Sequence, residues 1–477
     1  MPQWKQFSGQ WTVTQAAQAR GAGTWPEFPG APTIGTATPA LLSASVAFTA
    51  PANPGYPTTL SYTVTSSPGS ITASGSASPI TVSGLTAGTS YTFTVTATNG
   101  TGTGPASAAS NSVVPLAPTE LYAWGRNNVG MLGINDSIDR SSPVQVGALT
   151  DWSKVKASVG NNQAIAIKTD GTLWSWGPGG GGQLGQNNRT NYSSPVQIGS
   201  LTTWLKIASG TYSQAAIQTD GGLWAWGNNS NGLLGVGDYI ARSSPIQIGY
   251  GVWSDVAIGT YTLLAVKGDG TLWASGNNQW GVFANGTTNF SSSLTQSGSL
   301  TNWGTISISF GQLWAASVKT DGTLWTWGYN TYGNLGVNDR ITRSSPVQVG
   351  ALTNWSKIEV GALRTPIALK TDGTIWTWGD NTQGQMGVNN ITGASSPVQV
   401  GALSTWMDVA GGGYNQMATK TDGTLWTWGK SFGNYGVLGQ NNTTINLSSP
   451  VQVGSSTKWL GDISMSENLA FAIKESE

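Results

Sequence analysis

The chain has 477 residues, of which 66 are Gly and 24 Trp, and its 21 Lys plus Arg balance 21 Asp plus Glu. That length suits two or three domains, and the balance leaves no electrostatic footprint for nucleic acid or an anionic membrane. With neither Cys nor His in the sequence, a disulfide scaffold, thiolate chemistry, the commonest general base and the commonest metal ligand are excluded. Met1 to Gln10 has no charged n-region and no apolar h-region, so no secretory signal is expected there. No apolar run approaches the roughly 18 residues of a membrane-spanning helix.

Residues 1–29 carry Trp4, Phe7, Trp11, Trp25 and Phe28 among polar neighbours. Thr14 to Arg20 predicts about two helical turns, capped by Thr14 or Thr12 and ended by Gly21 and Gly23. Such a helix is marginal alone, and the five aromatics need a surface, either the next domain or another protein. Docking on another protein is the expectation. Ser8 to Val13 (S-G-Q-W-T-V), Gln18-Ala19-Arg20 and Trp25-Pro26 resemble a short N-terminal segment of tailed-phage virion proteins.

Pro29 to Pro32 reads as a linker into residues 30–117. Short alternating runs, Ser45 to Phe48, Leu60 to Thr65, Ile80 to Val82 and Tyr91 to Thr98, have the spacing of a small antiparallel sandwich. Gly84 to Asn99 (G-L-T-A-G-T-S-Y-T-F-T-V-T-A-T-N) resembles a fibronectin type III domain, with Tyr91 as its tyrosine corner. The resemblance implies a spacer with Phe48, Tyr62, Leu85, Phe93 and Val95 in its core. Val113 to Pro118 is a second linker.

Residues 118–477 are organised by a repeated stretch. Thr421 to Gly429 (T-D-G-T-L-W-T-W-G) recurs at Thr169, Thr219, Gly268, Thr320 and Thr371, and Leu121 to Gly125 opens the series in shortened form. The closing glycines Gly125, Gly177, Gly227, Gly276, Gly328, Gly379 and Gly429 are 52, 50, 49, 52, 51 and 50 residues apart. One repeat reads as strand Thr374 to Trp378, a long polar loop, strand Pro397 to Gly401, a turn at Leu403 to Trp406, strand Met407 to Gly411, a short loop with Tyr414, and strand Gln416 to Lys420. Four short strands per repeat make a propeller blade. Asp422-Gly423 predicts a primed two-residue turn with positive φ at both positions. The C-terminal Phe471 to Lys474 matches the strand that the first repeat lacks. It should therefore pair antiparallel with Leu121 to Trp124 and close a ring of seven blades without an exposed edge. The Trp of each L-W-x-W pair should pack between blades and carry most of the apolar burial.

The fold class expected is thus all-β: a short N-terminal anchor (1–29), a fibronectin type III-like sandwich (30–117) and a seven-bladed β-propeller (118–477). The pattern W-x-x-V-A-x-G, then A-I-K-T-D-G-x-L-W-x-W-G-x-N-x-x-G-x-L-G, resembles the regulator of chromosome condensation repeat family. That family includes nucleotide-exchange factors and a β-lactamase inhibitor. Where it often carries His, this chain has Gln163, Tyr212, Tyr261 or Tyr414, and no basic patch accompanies them. The resemblance therefore implies the fold and not chromatin binding or nucleotide exchange.

Strand direction puts the Asp-Gly and Leu-Thr-x-Trp turns on one face, which hardly varies between repeats. The long Asn-rich loops and the Tyr loops fall on the other, variable face. There Tyr239, Trp280, Phe283, Phe290, Tyr329, Tyr332, Phe432 and Tyr435 are the candidate ligand-binding residues, either stacking on sugar rings or a protein or packing within their own loops. The fourth blade is the outlier, with Ser275 for the second Trp and Ser292-Ser293-Leu294 for S-P-V. Asn135 to Asp139 and Asn338-Asp339 read as solvated turns rather than calcium sites, and Gly177 to Gly182 as a loop rather than a phosphate cradle. No acid has a local setting that demands a perturbed pKa, and no catalytic residue, metal or cofactor is assigned. The expected function is that of a phage virion surface protein, fibre, appendage or decoration. It docks to other virion proteins through Trp4, Phe7, Trp11, Trp25 and Phe28 and presents the propeller to a host-surface glycan or protein. A glycan depolymerase and a non-binding capsid ornament are the alternatives. Nucleic-acid binding and membrane insertion are not expected.

Overall fold

The computed structural model describes residues 12–23, 25–158, 160, 163–309, 311, 314–361 and 364–476, apart from the side chain of Phe432. Trp4, Phe7 and Trp11 lie outside the described residues. The chain divides into two compact units, Met1–Pro118 and Thr119–Glu477.

In the first unit the expected helix forms at Val13–Gly21. Thr12 is its cap: the Thr12 Oγ accepts from the Gln15 N–H at 3.3 Å and the Thr12 N–H donates to Gln15 Oε1 at 3.0 Å. This reciprocal capping box satisfies two otherwise unpaired N–H groups. Trp25 is half-buried under the Arg20 guanidinium, 4.9 Å from its ring centre. Phe28 is 56% exposed. Between them Glu27 exchanges backbone hydrogen bonds with Tyr56, and Gly30 donates to Asn53. Residues 27–30 are thus laced to the sandwich.

The sandwich pairs Thr33–Ala40, Ser43–Thr49 and Ile80–Ser83 in one sheet and Thr72–Gly75, Ser61–Ser67 and Thr92–Thr98 in the other. Phe48, Tyr62, Leu85, Phe93 and Val95 are all buried between them, as expected from the alternation of their strands. The Tyr91 hydroxyl accepts the Thr86 N–H at 3.2 Å, which is the tyrosine corner.

The second unit consists, among the described residues, of seven four-stranded antiparallel sheets. Blades II to VII have innermost strands Trp152–Ala157, Trp204–Ser209, Trp253–Ile258, Trp303–Ile308, Trp355–Val360 and Trp406–Gly411, and each innermost strand packs on the next. Blade I is composite: Trp459–Met465 and Leu469–Glu475 come from the C-terminus, Thr119–Gly125 and Arg140–Thr150 from the start of the unit. At the seam Phe471 faces Ala123, Ala472 faces Tyr122 and Ile473 faces Leu121, so the ring closes as the truncated end repeats require. The backbone restates this at the outer rim, where Asn441 N–H donates to Ser141 O at 2.8 Å, linking blade VII to blade I.

Sheets and sequence repeats are out of phase. Blade VI, for example, takes Trp355–Val360 and Pro366–Lys370 from one repeat and Ile375–Gly379 and Ala394–Gln399 from the next. Its outer strand starts before the expected Pro397 and ends before Gly401, whose φ of +61° turns the chain away. The Asp-Gly turn also differs from expectation. Only Gly423 has positive φ (+75°). The Gly423 N–H donates to Lys420 O and the Lys420 N–H to Thr424 O, a type I turn with a glycine bulge. Asp422 is kept out of the left-handed region because its Oδ1 accepts both the Thr424 N–H (3.0 Å) and hydroxyl (2.6 Å).

The second Trp of each L-W-x-W pair, such as Trp176, Trp226, Trp327, Trp378 and Trp428, is fully buried between blades. Its indole N–H donates to a loop carbonyl of the preceding blade, for instance Trp378 to Asn334 O at 2.8 Å. The first Trp is only half-buried and makes a T-shaped contact with the Trp that opens the innermost strand. In five blades a Lys lies against both rings, as Lys420 does 3.7 Å from Trp426 and 4.9 Å from Trp406. Burial lowers the pKa of Lys319, Lys370 and Lys420, opposed by the neighbouring Asp of each turn.

Blade IV solves its missing indole locally. The Ser275 hydroxyl donates to Leu233 O at 2.8 Å, the bond the indole makes elsewhere. Strand register pairs Gly276 with Ser291, as Gly379 pairs with Ala394. Leu294, not Ser293, therefore replaces the Pro of S-S-P-V. It fills the vacated space: a Cβ on Gly235 would lie 2.9 Å from Leu294 Cγ, whereas one on Gly336 would lie 2.7 Å from Trp378 Nε1.

Candidate recognition face

Backbone bonds sort the loops onto two faces. The Asp-Gly turns bond to the Leu-Thr-x-Trp turns (Thr421 N–H to Thr405 O, Trp406 N–H to Gly373 O), and the long loops bond to the Tyr loops (Asn228 N–H to Tyr212 O). Each typical long loop is pinned by one fully buried Asn. Asn330 Nδ2 donates to Asp339 O at 3.1 Å and its Oδ1 accepts the Leu335 N–H at 2.9 Å. Asn127, Asn229, Asn278 and Asn381 repeat the pattern. The residue five positions after the Asn is thereby driven inward. In blade IV that residue is Phe283, only 1% exposed. It is a core residue in place of Leu, and it leaves the candidate ligand face.

The remaining candidates fall into two groups. Tyr239 and Phe290 are 63% and 59% exposed. Trp280, Tyr329, Tyr332 and Tyr435 are half-buried and engaged with neighbours. The Trp280 and Tyr329 rings are 4.9 Å apart, Tyr329 and Tyr332 6.5 Å, and Arg364 lies 3.8 Å over Tyr332. Arg126 lies 5.0 Å over Tyr435. The Phe432 side chain lies outside what is described.

One set of rim residues is not picked out by reading aromatics alone. Blades I, III and V carry D-x-I-x-R: Asp136-Ile138-Arg140, Asp238-Ile240-Arg242 and Asp339-Ile341-Arg343. In each, the Asp accepts the Ile N–H and pairs with the Arg, while the Arg also donates to the Ile carbonyl. Ile138, Ile240 and Ile341 are held out at 64%, 65% and 64% exposure. Arg343 and the Ile341 N–H draw the Asp339 carboxyl down to about 2. The same carboxylate is paired with the Arg343 guanidinium, and among the described residues no cluster suited to a metal occurs. The signal was present as an exact triplet recurring in alternate blades. Blades II and VI place N-x-T there instead, with Asn188 and Asn390 accepting the N–H of Thr190 and Thr392.

A second constellation emerges only on ring closure. The innermost strands surround a central cavity of about 340 Å³ lined in part by Lys156, Asp255, Thr305, Lys357 and Glu359, and the third residue of each strand is Lys154, Lys206, Asp255, Thr305, Lys357, Asp408 or, after one extra residue, Asp462. Lys206 pairs with Asp255 at 3.0 Å and Lys357 with Asp408 at 2.6 Å. Glu359 reaches Lys357 at 3.4 Å and Lys156, from the far side of the bore, at 3.1 Å. Carboxylates also cap inner-edge amides of the next blade: Asp462 accepts the Val155 N–H at 2.7 Å and Asp255 the Ile306 N–H at 2.9 Å. Burial raises Asp255 and Asp408, and pushes Asp462 up to about 6 against the pull of Lys156. Glu359 is raised by burial but brought below its ordinary value by Lys156 and Lys357. The expectation that no acid would be perturbed is corrected here. Each acid is ordinary in its own strand, and only seven strands together bury it.

The comparisons with known proteins agree with this architecture. The RCC1-like domain family model matches residues 120–472 and the fibronectin type III domain model residues 32–113. The ultraviolet-B receptor UVR8 of Arabidopsis thaliana is 32% identical over 327 residues, covering 62% of this chain and 69% of its own. The X-linked retinitis pigmentosa GTPase regulator of Canis lupus familiaris is 35% identical over 94 residues, and the human E3 ubiquitin-protein ligase HERC2 34% over 98. The chain covers only 9% and 2% of those two proteins, so the likeness is confined to propeller repeats. Among solved structures, that of Kap60 bound to yeast RCC1 (Prp20) superposes with a TM-score of 0.66 at 16% identity, covering 76% of this chain and 90% of that one. Human WBSCR16 does so with 0.64 at 20% identity, covering 75% and 99%. At these identities the structural likeness speaks for the fold. Residues 120–472 make this chain a member of the RCC1-like domain family, and a fibronectin type III domain precedes its propeller.

Proposed function

We propose that this chain is a non-enzymatic display protein of a phage virion, in which residues 1–29 dock to other virion proteins, the fibronectin type III domain acts as spacer, and the loop face of the propeller binds the host surface. The observation that carries the binding role is the rim. Three Asp–Arg clamps hold out three isoleucines at nearly equal exposure, and Tyr239, next to Ile240 in the chain, and Phe290 of blade IV are exposed on the same face. Preorganised apolar side chains lose little entropy on contact, which favours recognition. Two printed names support a binding head: one relative is a GTPase regulator, and the structure of yeast Prp20p is described by its binding to Gsp1p and histones.

The virion setting rests on the resemblance of Ser8 to Pro26 to tailed-phage segments. The test separates the parts. Deleting residues 1–29 should abolish incorporation into particles, and normal incorporation would refute the docking role. Purified full-length protein should compete with particles for host adsorption. A protein that is incorporated but neither competes nor loses anything when Ile138, Ile240 and Ile341 become Asp would be an ornament. Release of reducing ends from host polysaccharide would instead make it a depolymerase.

A further inference from the structure

We infer that the loop face binds an acidic polysaccharide, along a one-sided arc of aromatic rings and cations running from blade IV to blade I. This rests on the display reading and names its ligand class. The arc starts at Trp280 in blade IV and continues through Tyr329 and Tyr332 of blade V, with neighbouring ring centres 4.9 and 6.5 Å apart. Arg364 of blade VI then lies 3.8 Å over Tyr332, with Asp380 3.8 Å from its Nη1. In blade VII the Lys430 ammonium is 5.9 Å from the Tyr414 ring. Arg126 of blade I is 5.0 Å from the ring of Tyr435. These side chains are half-buried, so each is held in place and still offers surface.

Both faces carry both signs, but the arginines fall on one of them. The seven arginines of residues 119–477 are Arg126, Arg140, Arg189, Arg242, Arg340, Arg343 and Arg364, and the strand order brings all of them to the loop face. Arg140, Arg242 and Arg343 are committed to their Asp clamps. On the opposite face the turn lysines are held between Trp rings beside ionised Asp-Gly carboxylates. The Asp partners of the clamps and Asp380 also lie on the loop face, so what an anionic polymer would meet along the arc is the local cations Arg126, Arg364 and Lys430.

Sugar rings stack on Trp and Tyr, and planar guanidinium forks match carboxylate or phosphate. A neutral glycan would use the rings and have no use for three cations. A protein would be expected at the isoleucine rim instead. Rings from blades IV, V and VII, with cations from blades VI, VII and I between and beside them, suit a chain of sugars better than a single one.

The experiment is affinity electrophoresis of the full-length protein in gels holding polygalacturonate, phosphorylated dextran or plain dextran. Retardation by a charged polymer and not by dextran is expected, and the two charged arms tell carboxylate from phosphate. Arg364→Gln with Arg126→Gln should weaken binding by about tenfold or more, and raising salt should do the same. Tyr332→Ala should weaken it at every salt concentration. Lys458→Ala on the turn face should change nothing, and circular dichroism confirms that each variant is folded. Equal retardation by dextran, retention unaffected by the arginine variants, or no retardation by any polymer would overturn the inference. If the protein still competes for host adsorption in that last case, only the ligand class fails and the display reading stands.

Discussion

Blade IV already contains the exchange that tests how the blades are cemented. Trp378→Ser in blade VI would reproduce Ser275, and Pro397→Leu would reproduce Leu294, because Gly379–Ala394 and Gly276–Ser291 are equivalent pairs. Trp378 is fully buried, and removing a buried Trp costs about 3–5 kcal/mol. The new hydroxyl can recover the bond to Asn334 O, worth about 1 kcal/mol. Pro397 is half-buried in the outer strand, so Pro397→Leu alone should cost about 1 kcal/mol or less. With the indole gone, the Leu can turn into the vacated space and bury itself, returning about 1.5–3 kcal/mol. Less the cost of about 1 kcal/mol or less that Pro397→Leu carries by itself, the double variant should be more stable than Trp378→Ser alone by about 1–2 kcal/mol, a coupling read from the urea midpoints of the four proteins followed by far-ultraviolet circular dichroism. Additive effects, with the double variant no more stable than the single, would refute the account of Ser275 and Leu294 as one compensated pair.

Gly336→Ala should lower the melting temperature markedly, by calorimetry, because its φ is +72° and the added Cβ would lie 2.7 Å from Trp378 Nε1. Phe471→Ala at the seam, where the ring is fully buried and 5.7 Å from Trp176, should destabilise by about 3–5 kcal/mol, measured by urea titration. Acid should act on Asp339 and Asp462 with opposite sign. Asp339 is lowered to about 2 from 3.8, so its contribution is complete above pH 3.8 and fades as pH falls toward 2. Asp462 is raised from 3.8 to about 6, so the folded protein holds the extra proton and loses stability as pH rises across that interval. Wild type should therefore lose ground to Asp462→Asn between pH 4 and 7 and keep a constant difference above 7, by urea midpoints in that range. Changing Ile138, Ile240 and Ile341 together to Asp should leave the melting curve almost unmoved and reduce competition for host adsorption.

Much of the architecture was legible because it repeats. The spacing of seven closing glycines set the blade count, and the matching truncated ends, Phe471 to Lys474 and Leu121 to Trp124, located the seam. Phe283 was misread because an aromatic in a polar loop looks exposed until the buried Asn278 fixes which residue turns inward. The isoleucine rim was not recognised because Ile in a loop normally signals core. Here an Asp and an Arg two residues to either side hold its backbone and leave the side chain outside. The bore was illegible for a different reason. Lys357, Glu359 and Asp408 are strand residues with unremarkable neighbours in sequence, and Lys156, which completes the group, is some 200 residues away.

Because every sheet borrows strands from two successive repeats, a duplication or deletion of one repeat in the gene would still leave each sheet with four strands. The composite first blade would go on joining the two ends of the series. Recombination between near-identical stretches such as Thr371–Gly379 and Thr421–Gly429 could therefore alter the circumference by one unit without unzipping a sheet. The barrier to an added unit would lie at the axis, where Lys156 and Glu359 meet across the bore at 3.1 Å and a wider ring would draw them apart.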